Sequence, residues 1–517
     1  MGGVSILDLQ HNAFISAEEI DFQNIKATND NYGLSSPNAR CAYQDCYGNI
    51  WIGNYRGGID FISHTQPMFN ILPYTIETAK GLSYKQVWGM WATDNQVWLG
   101  SEDELGLFIN GKKIKTYDLY SHELVYNTHI NTIYEDRQKR LWLGTYKNGI
   151  LLYKPDKQEI VHISSSLFNN LDVRCFYEDQ NGKMWIGTET GIYSCTNEVL
   201  VKEEEIQKQL PDIMVHSLLR DKEGKLWVGT FGKGISIFDV NNKLLWNFVI
   251  ENGFCSNAVN HMIKDSEEQI WVATREGLAV FKNTSQPNRY KIFKEKEGLE
   301  NSHIRAICED LEKRIWISSN DGISCLDPKQ NLFYNYNHHD GVPMGDFMNG
   351  STCMTHNGII YFGSQNGACF FNPKELSSIR QVSPVKITQF CKYNKKTESK
   401  DAEISIPFKK GVVHLPYNQN SFRITFNVLD YTQSPQVEFT YMLEGLENRW
   451  YDTQGENQVI FRNIPPGKYN FKVRTRIRNQ EWDKEIASLN IFIAPPLWLT
   501  WYAKLGYVIL FIFALYA

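Results

Sequence analysis

One aromatic-centred motif recurs along most of the chain at a nearly constant interval. Each copy places Trp or Tyr inside a strand-like stretch, and a glycine usually follows two positions later. The eight copies are centred on Trp51, Trp98, Trp142, Trp185, Trp227, Trp271, Trp316 and Tyr361. Neighbouring centres lie 42 to 47 residues apart, which is the length of one four-stranded β-propeller blade. The repeat therefore predicts an all-β propeller.

The residues around each centre have a physical role in such a blade. The stretch before the aromatic is rich in β-forming residues and ends in acidic residues, as at Glu135-Asp136. The aspartate can hold a tight turn there. A polar loop and a glycine follow the aromatic strand, and an apolar stretch such as 150–153 pairs back onto it. A tryptophan at the same place in every blade is expected to pack as a wedge between adjacent sheets.

The ten cysteines are spread along the chain and follow the register of the repeat. They stand at positions 41, 46, 175, 195, 255, 308, 325, 353, 369 and 391, without a C-x-x-C pair. Most of them lie in the strand before or after the aromatic, where a small apolar side chain packs well. We expect them to be reduced and mostly buried, and neither metal ligands nor disulfides.

The period stops after Pro373. Residues 384–495 contain alternating apolar runs separated by Pro, Gly or Asn, which is the pattern of an Ig-like β-sandwich. Within it the turn Pro465-Pro466-Gly467 leads into a strand whose Tyr469 is placed like a tyrosine corner. We therefore expect a separate sandwich after the propeller.

The C-terminal segment differs in character from the rest of the chain. Residues 505–517 carry no charge, and Trp498, Trp501, Tyr502 and Lys504 precede them, a mixture typical of a membrane interface. Thirteen residues rise only about 20 Å against a hydrocarbon core of about 30 Å. This pattern predicts the start of a transmembrane helix over 497–517, in a fragment of a longer membrane protein.

Charge and motifs exclude several functions. The chain has 53 Lys and Arg against 58 Asp and Glu, a net charge of −5, and no basic block, so we expect no nucleic-acid partner for this fragment. Enzyme motifs such as G-x-S-x-G and H-E-x-x-H are absent. The paired acids recur in the blade turns, which favours a scaffold role because an active site needs one distinctive pair. We expect no catalytic residues, no cofactor and no metal site.

Two sets of motifs resemble a known family. The W-I-G-T-x-x-G-I units resemble two-component regulator propeller repeats, and NQNSFRITFNVLDYT, FTYMLEGLENRW and IPPGKYNFKVR look like the three-tyrosine domain that follows those propellers. Its tyrosines here would be Tyr431, Tyr441 and Tyr469. The whole arrangement is similar to the periplasmic sensor region of hybrid two-component systems of gut Bacteroidetes.

The resemblance implies a domain map and a cellular setting. Residues 1–63 would be the C-terminal remnant of a first propeller, 64–375 a complete seven-bladed propeller, 384–495 the three-tyrosine sandwich and 497–517 a truncated transmembrane helix. The parent protein would be a histidine kinase whose kinase domain is absent from this chain. The region would lie at the periplasmic face of the inner membrane, anchored by a single pass, and pair as a homodimer through the sandwich and the membrane helix.

A ring of candidate ligand-binding residues follows from the repeat. The position five residues before the turn acid holds Trp88, Asn131, Arg174, His216, Asn260 and Arg305 in successive blades, with Gly350 in the last. The residue before it is apolar in all but the last blade. Innermost strands surround the propeller channel, so this ring would lie at one mouth, together with the loops that follow the aromatic strands. Planar amides, guanidinium groups and aromatic rings suit a sugar, although such a ring also serves to satisfy channel waters and backbone ends.

Three functions fit these patterns to different degrees. The leading hypothesis is a non-catalytic sensor that binds an oligosaccharide or polysaccharide fragment and transmits the signal through the sandwich to the membrane helix. The alternative is a propeller scaffold that docks a protein partner. A propeller hydrolase or lyase is the third.

Overall fold

The structure is a computed structural model, and it describes most of the chain. The described residues are 3–6, 23–26, 34–45, 48–62, 68–72, 86–93, 96–102, 104–109, 112–119, 128–163, 171–376, 384–392, 402–404, 412–428, 437–453, 455–477 and 482–516. The chain divides into two compact units. One comprises Pro67–Ser378, and the other combines Met1–Gln66 with Ile379–Ala517.

Seven four-stranded sheets make up the unit Pro67–Ser378, and we number them as blades 1 to 7. Blades 1 to 3 are Gly89–Thr93, Gln96–Gly100, Glu104–Ile109 and Lys112–Asp118; Ile130–Glu135, Leu141–Thr145, Ile150–Lys154 and Glu159–Ile163; and Val173–Glu178, Met184–Thr188, Gly191–Thr196 and Val199–Lys202. Blades 4 to 6 are Val215–Arg220, Leu226–Thr230, Ile235–Phe238 and Leu244–Phe248; Val259–Lys264, Ile270–Thr274, Gly277–Phe281 and Lys291–Phe293; and Ile304–Glu309, Ile315–Ser319, Ile323–Asp327 and Leu332–Tyr336. Blade 7 is Phe347–Met354, Ile360–Ser364, Gly367–Phe371 and, from the other end of the unit, Asn70–Leu72.

The blades form a closed ring. The first strands of neighbouring blades contact one another all the way round, including Phe347–Met354 of blade 7 against Gly89–Thr93 of blade 1. These first strands therefore surround the central channel. The outermost strand of blade 7 comes from the start of the unit, where Leu72 pairs with Ala368. The predicted seven-bladed propeller is confirmed.

The repeated aromatic is the wedge between blades. From Trp98 to Tyr361 these seven side chains are at most 6% exposed. Each packs against the following blade: Trp227 contacts Val259 and Ile270 of blade 5, and Tyr361 packs with residues of blade 1. Six tryptophans and one tyrosine thus join each blade to the next, as the sequence predicted.

A buried carboxylate holds the tryptophan in blades 2 to 6. The turn aspartates Asp136, Asp179, Asp221, Asp265 and Asp310 each accept a hydrogen bond at Oδ2 from the indole Nε1 six residues later, at 2.7 to 3.0 Å. The other oxygen accepts turn amides; Asp221 Oδ1 takes those of Glu223 and Lys225, both at 2.9 Å. We call this arrangement the Asp–Trp clamp. Outside the propeller unit, Asp45 and Trp51 repeat it at 3.0 Å.

The glycine two residues after the aromatic permits a close approach of strands. A Cβ atom on Gly187 would lie 2.4 Å from Cys175 Sγ and 2.8 Å from Val215 Cγ1. No side chain fits there without displacing the first strand of its own blade or of the next. The glycine of the motif is therefore a packing requirement.

The second unit contains two sheets that face each other across one apolar core, with small sheets from the first residues of the chain. The sandwich sheets are Ala402–Ile404, Val385–Lys392, Phe422–Val428 and Gln458–Phe461; and Val412–Leu415, Ala487–Ile493, Gly467–Ile477, Val437–Glu444 and Tyr451–Asp452. The small sheets are Gly3–Ile6 with Gln23–Lys26, and Ala39–Gln44, Ile50–Asn54 and Gly58–Ile62. The hydroxyl of Tyr469 donates to the carbonyl of Pro465 at 2.7 Å, which confirms the tyrosine corner. Tyr431 lies outside the described residues.

Helices are few among the described residues. The α-helices there are Glu204–Gln207, Pro373–Leu376 and Trp501–Tyr516, and the 3₁₀-helices are Ile250–Asn252, Glu295–Glu297, His338–Asp340 and Leu497–Leu499. Across the described parts of the chain, none is both long and apolar enough to cross a bilayer.

The nine described cysteines are all free thiols, and Cys46 lies outside the described residues. Five of the nine are buried, and Cys41 is exposed. Burial raises the pKa of the thiols of Cys175 and Cys308 to about 12. Such thiols stay protonated and unreactive, as expected for apolar packing residues.

The Asp–Trp clamp makes a prediction about stability. Asp221→Ala leaves the indole N–H of Trp227 and two turn amides unpaired in a buried site, so we expect a loss of about 3 kcal/mol in the free energy of unfolding. The matched control is Asp239→Ala in the same blade, where the carboxylate accepts only the turn amides of Asn241 and Lys243. That change should cost about 1 kcal/mol. Urea denaturation measures both, and equal losses would contradict a special role for the indole bond.

Candidate functional site

The candidate residues share a feature of the sheets. In blades 2 to 6 the first strand has a β-bulge, and the residue at the bulge is Asn131, Arg174, His216, Asn260 or Arg305. A bulge leaves its residue out of the ladder and redirects its side chain. The residues just before, Val87, Ile130, Val173, Val215, Val259 and Ile304, are all 0% exposed, which confirms their predicted packing role.

The two ends of the ring depart from this pattern. Trp88 precedes its strand, and its indole N–H donates to the side-chain oxygen of Gln86 at 3.2 Å. In blade 7 the irregular stretch runs from Phe347 to Thr352 and contains Gly350 with a φ of +67°. A side chain there would be strained, so blade 7 contributes backbone at this place.

The loops after the aromatic strands open on the same edge as the bulges. First and second strands are antiparallel, so the start of one meets the end of the other. The backbone amide of Tyr146 donates to the carbonyl of His129 at 2.8 Å. In the same way, the backbone amide of Phe231 donates to the carbonyl of Met214 at 3.0 Å. We call this edge, formed by the bulge residues and these loops, the mouth.

Two of the bulge residues tie blades together. Asn131 Nδ2 donates to Asp172 Oδ1 at 2.6 Å and to the carbonyl of Val173 at 3.2 Å, both in or next to blade 3. Asn260, only 2% exposed, donates to the carbonyl of Ile304 in blade 6 at 2.6 Å. Their amide donors are therefore used between blades.

Arg305 also links two blades. Its Nε donates to Asn320 Oδ1 at 2.8 Å in its own blade. Its terminal nitrogens donate to Asn349 Oδ1 and Asp346 Oδ2, both at 3.1 Å, on the blade 7 side. The side chain is 16% exposed, so most of its surface faces protein.

Arg174 remains closer to solvent. It forms an ion pair with Asp172, and 29% of its side chain is exposed. Burial of the Asp172 carboxyl, together with the nearby charge of Glu189, raises its pKa to about 6, although Arg174 acts in the opposite direction. Arg174 Nε is buried and has no hydrogen-bond partner among the described residues.

His216 and Arg275 both contact the ring of Phe231. The His216 ring lies 5.1 Å from that of Phe231 at an angle of 40°, and Arg275 Cζ lies 4.4 Å from the Phe231 centroid. Burial, together with the charges of Arg174 and Arg275, lowers the pKa of His216 to about 4, and Asp212 opposes this shift. The imidazole is therefore neutral at pH 7, beside two guanidinium groups.

Several residues of the mouth carry no repeat signal in the sequence. Asp172, His303 and Asp346 stand before the bulges, at places where blades 4 and 5 have Met214 and Ala258. Only their contacts with the arginines reveal them. No group of three or more His, Cys, Asp or Glu side chains suited to a metal ion occurs among the described residues.

Known families and structures match both units. Residues 125–147, 166–190 and 209–232 match the two component regulator propeller, and residues 430–494 match the Y_Y_Y domain. A solved structure of the extracellular domain of a hybrid two component system, BT3049 from B. thetaiotaomicron, is 40% identical and has a TM-score of 0.82. The alignment covers 96% of this chain and 66% of that one.

The chain belongs to the propeller-containing sensor regions of two-component systems. A second such structure, BT4673 from B. thetaiotaomicron, shares the fold at 20% identity and a TM-score of 0.51, over 94% of this chain and 67% of that one. Histidine kinase P4 of Formosa agariphila is 26% identical, over 74% of this chain and 32% of the kinase. The chain thus spans about a third of that kinase and about two thirds of the solved extracellular domains.

The neutral His216 makes a prediction about acid stability. Its pKa is about 4 in the folded chain against about 6.5 unfolded, so the unfolded state binds more protons between these values and stability falls as the pH falls through this window. His216→Phe keeps a ring against Phe231 but removes the titration. When the pH is lowered from 7 to 5, the free energy of unfolding should fall in both proteins, and the fall should be smaller in the variant by on the order of 1 to 2 kcal/mol.

Urea denaturation at the two pH values measures that difference. The matched control is His162→Phe on the outermost strand of blade 2, where the histidine is exposed. We expect the control to follow the parent. A His216→Phe variant that loses as much stability as the parent would show that His216 is not the titrating group.

Proposed function

We propose that this chain is the ligand-sensing, extracytoplasmic region of a membrane sensor histidine kinase and that it binds a glycan fragment. Its similarity to the extracellular domain of a hybrid two component system supports the sensing role. The observation that supports the ligand class is the mouth, where the planar groups of His216 and Arg275 both contact the partly exposed ring of Phe231.

The chemistry of Phe231, His216 and Arg275 suits a sugar. Sugar hydroxyls need planar donors and acceptors in fixed positions, and the C–H face of a sugar packs on an aromatic ring. Trp88 and Asn131 of the predicted ring are partly exposed, but their side-chain nitrogens donate to Gln86 and Asp172. The other partly exposed members are Arg174, His216 and Arg305, and we propose that these three contact the ligand. Asn131 and Asn260 would act indirectly, by holding the blades that carry the others.

The role we propose is binding and not catalysis. The five buried clamp aspartates are occupied by indole and turn amides. Two further buried acids, Asp172 and Glu104, are paired with Arg174 and Lys113. A ligand at the mouth would shift the equilibrium between two arrangements of the protein by its difference in affinity for them. The change would pass through the sandwich and Pro495-Pro496 to a single-pass membrane helix, in a homodimer at the periplasmic face of the inner membrane.

A thermal-shift screen of the purified chain against oligosaccharides tests this function. A ligand that binds only the folded state, at 100 times its Kd, adds about 2.7 kcal/mol of stability and raises the Tm. Phe231→Ala should weaken the affinity for an identified glycan at least about tenfold, because the apolar platform of the site is lost.

Trp246→Ala is the matched control. This residue is 43% exposed on the outermost strand of blade 4, away from the mouth edge of the sheet, so its loss should leave affinity unchanged. A glycan that binds Phe231→Ala as tightly as the parent would place the site elsewhere. A partner protein that binds, with no glycan raising the Tm, would favour the docking scaffold.

A further inference from the structure

Arg275 differs from the other arginines of the mouth in having no carboxylate partner in the described structure. Arg174 forms an ion pair with Asp172, and Arg305 pairs with Asp346 at 3.1 Å. Arg275 instead lies over the ring of Phe231, with its Cζ 4.4 Å from the centroid, and its side chain is exposed. Arg275 is therefore an arginine of the mouth whose charge no carboxylate of the described structure compensates.

The geometry of this contact leaves the hydrogen-bonding edge of Arg275 available. A guanidinium that stacks on an aromatic ring uses its face, whereas its five N–H donors point outward in its plane. That edge matches the two oxygens of a carboxylate or a sulfate. Phe231 itself is fixed against His216, so the guanidinium has a rigid support.

The acids near the mouth do not cancel this charge. Asp212 accepts the amides of Met214 at 3.3 Å and Gly232 at 2.7 Å, so its oxygens are engaged with backbone. Glu189 and Glu276 are exposed, where water and salt weaken their effect. Asp172 and Asp346 belong to the ion pairs of Arg174 and Arg305. Asp321 accepts the side-chain amide of Asn301, and Glu102 lies 3.5 Å from His129.

The charge of Arg275 lowers the pKa of two histidines of the mouth, His216 and His303. Apart from burial, the pKa of His216 is lowered by Arg174 and Arg275 more than Asp212 raises it. The pKa of His303 is lowered by Arg305 and Arg275 in the same way, against Asp346. Arg275 directly follows the strand Ile270–Thr274 of blade 5, and its charge contributes to the shift of both histidines.

Further donors at the mouth lack partners. Arg174 Nε and His303 Nε2 are buried nitrogen atoms without a hydrogen-bond partner among the described residues. A buried polar atom without a partner is costly. A ligand oxygen or a water that it holds would satisfy each of them.

We infer that the mouth, between blades 3 and 6, is selective for an acidic oligosaccharide whose carboxylate or sulfate group pairs with Arg275. This inference rests on the proposed function and specifies the class of glycan. Arg275 acts as the specificity residue, and the neighbouring ion pairs orient Arg174 and Arg305 toward the rest of the sugar.

Isothermal titration with matched sugars tests the inference. The probes are an oligogalacturonide, its carboxyl-reduced form, and a sulfated chondroitin oligosaccharide of similar length. At least one acidic probe should bind at least tenfold more tightly than the neutral form, and its affinity should fall as NaCl is raised. Binding of the oligogalacturonide identifies a carboxylate. Binding of the sulfated chondroitin but not of its desulfated form, which keeps the uronate carboxylates, identifies a sulfate.

The variants separate charge from packing. Arg275→Ala should reduce the affinity for the acidic probe at least tenfold and that for the neutral form less than twofold. Arg275→Lys should recover only part of the loss, because a single ammonium group cannot form the two-point contact. Arg289→Ala, which removes an exposed arginine from the loop before the outermost strand of blade 5, is the matched control and should bind like the parent.

Two results would overturn the inference in different ways. If neutral and acidic probes bind alike, or Arg275→Ala binds the acidic probe as the parent does, the anion selectivity is wrong while glycan sensing stands. If no oligosaccharide, neutral or acidic, binds or raises the Tm, the proposed function fails together with the inference.

Discussion

The Asp–Trp clamp is the interaction on which the propeller depends. One carboxylate, buried in a turn, holds the hairpin through its amides and the next blade through the indole that it positions. The desolvation of that charge is offset because both oxygens are fully hydrogen-bonded. Blade 7 has Thr355 and Tyr361 in these places, and there the threonine hydroxyl accepts only the amide of Ile359. Blade 1 has Ala92 in the place of the aspartate, six residues before Trp98. The clamp is therefore missing or reduced in the two blades between which the ring closes.

The mouth is built from the same constraint. Packing of the wedge and the motif glycine fixes the register of the first two strands, and the bulge takes up the extra residue at their edge. One position in each blade is thus freed from the ladder without disturbing the core. Asn131 and Asn260 use that freedom to join blades, whereas Arg174 and His216 present polar groups toward the mouth. The bulge position therefore serves stability in some blades and the mouth in others, which explains why its residue type varies from blade to blade.

The sequence allowed the architecture to be predicted better than the site. The wedge, the packing residues and the tyrosine corner all follow from local patterns, because each depends on residues within one repeat. The contacts of the candidate residues do not: Asn131 meets Asp172, and Arg305 meets Asp346, more than 40 residues away in the chain. The stack of Arg275 on Phe231 likewise joins two blades. A repeat shows which positions are equivalent, but not how neighbouring side chains pair across blades.

The strand Asn70–Leu72 has a consequence for how the chain folds. Its partner Gly367–Phe371 is synthesised about 300 residues later, so the first strand of the unit must wait, unpaired, while six blades assemble. Closing so long a loop costs entropy before any contact repays it. The last blade should therefore assemble late and open first, with the two ends of the ring separating together. A protease or chaperone acting on this protein would meet blade 7 before any other part of the ring.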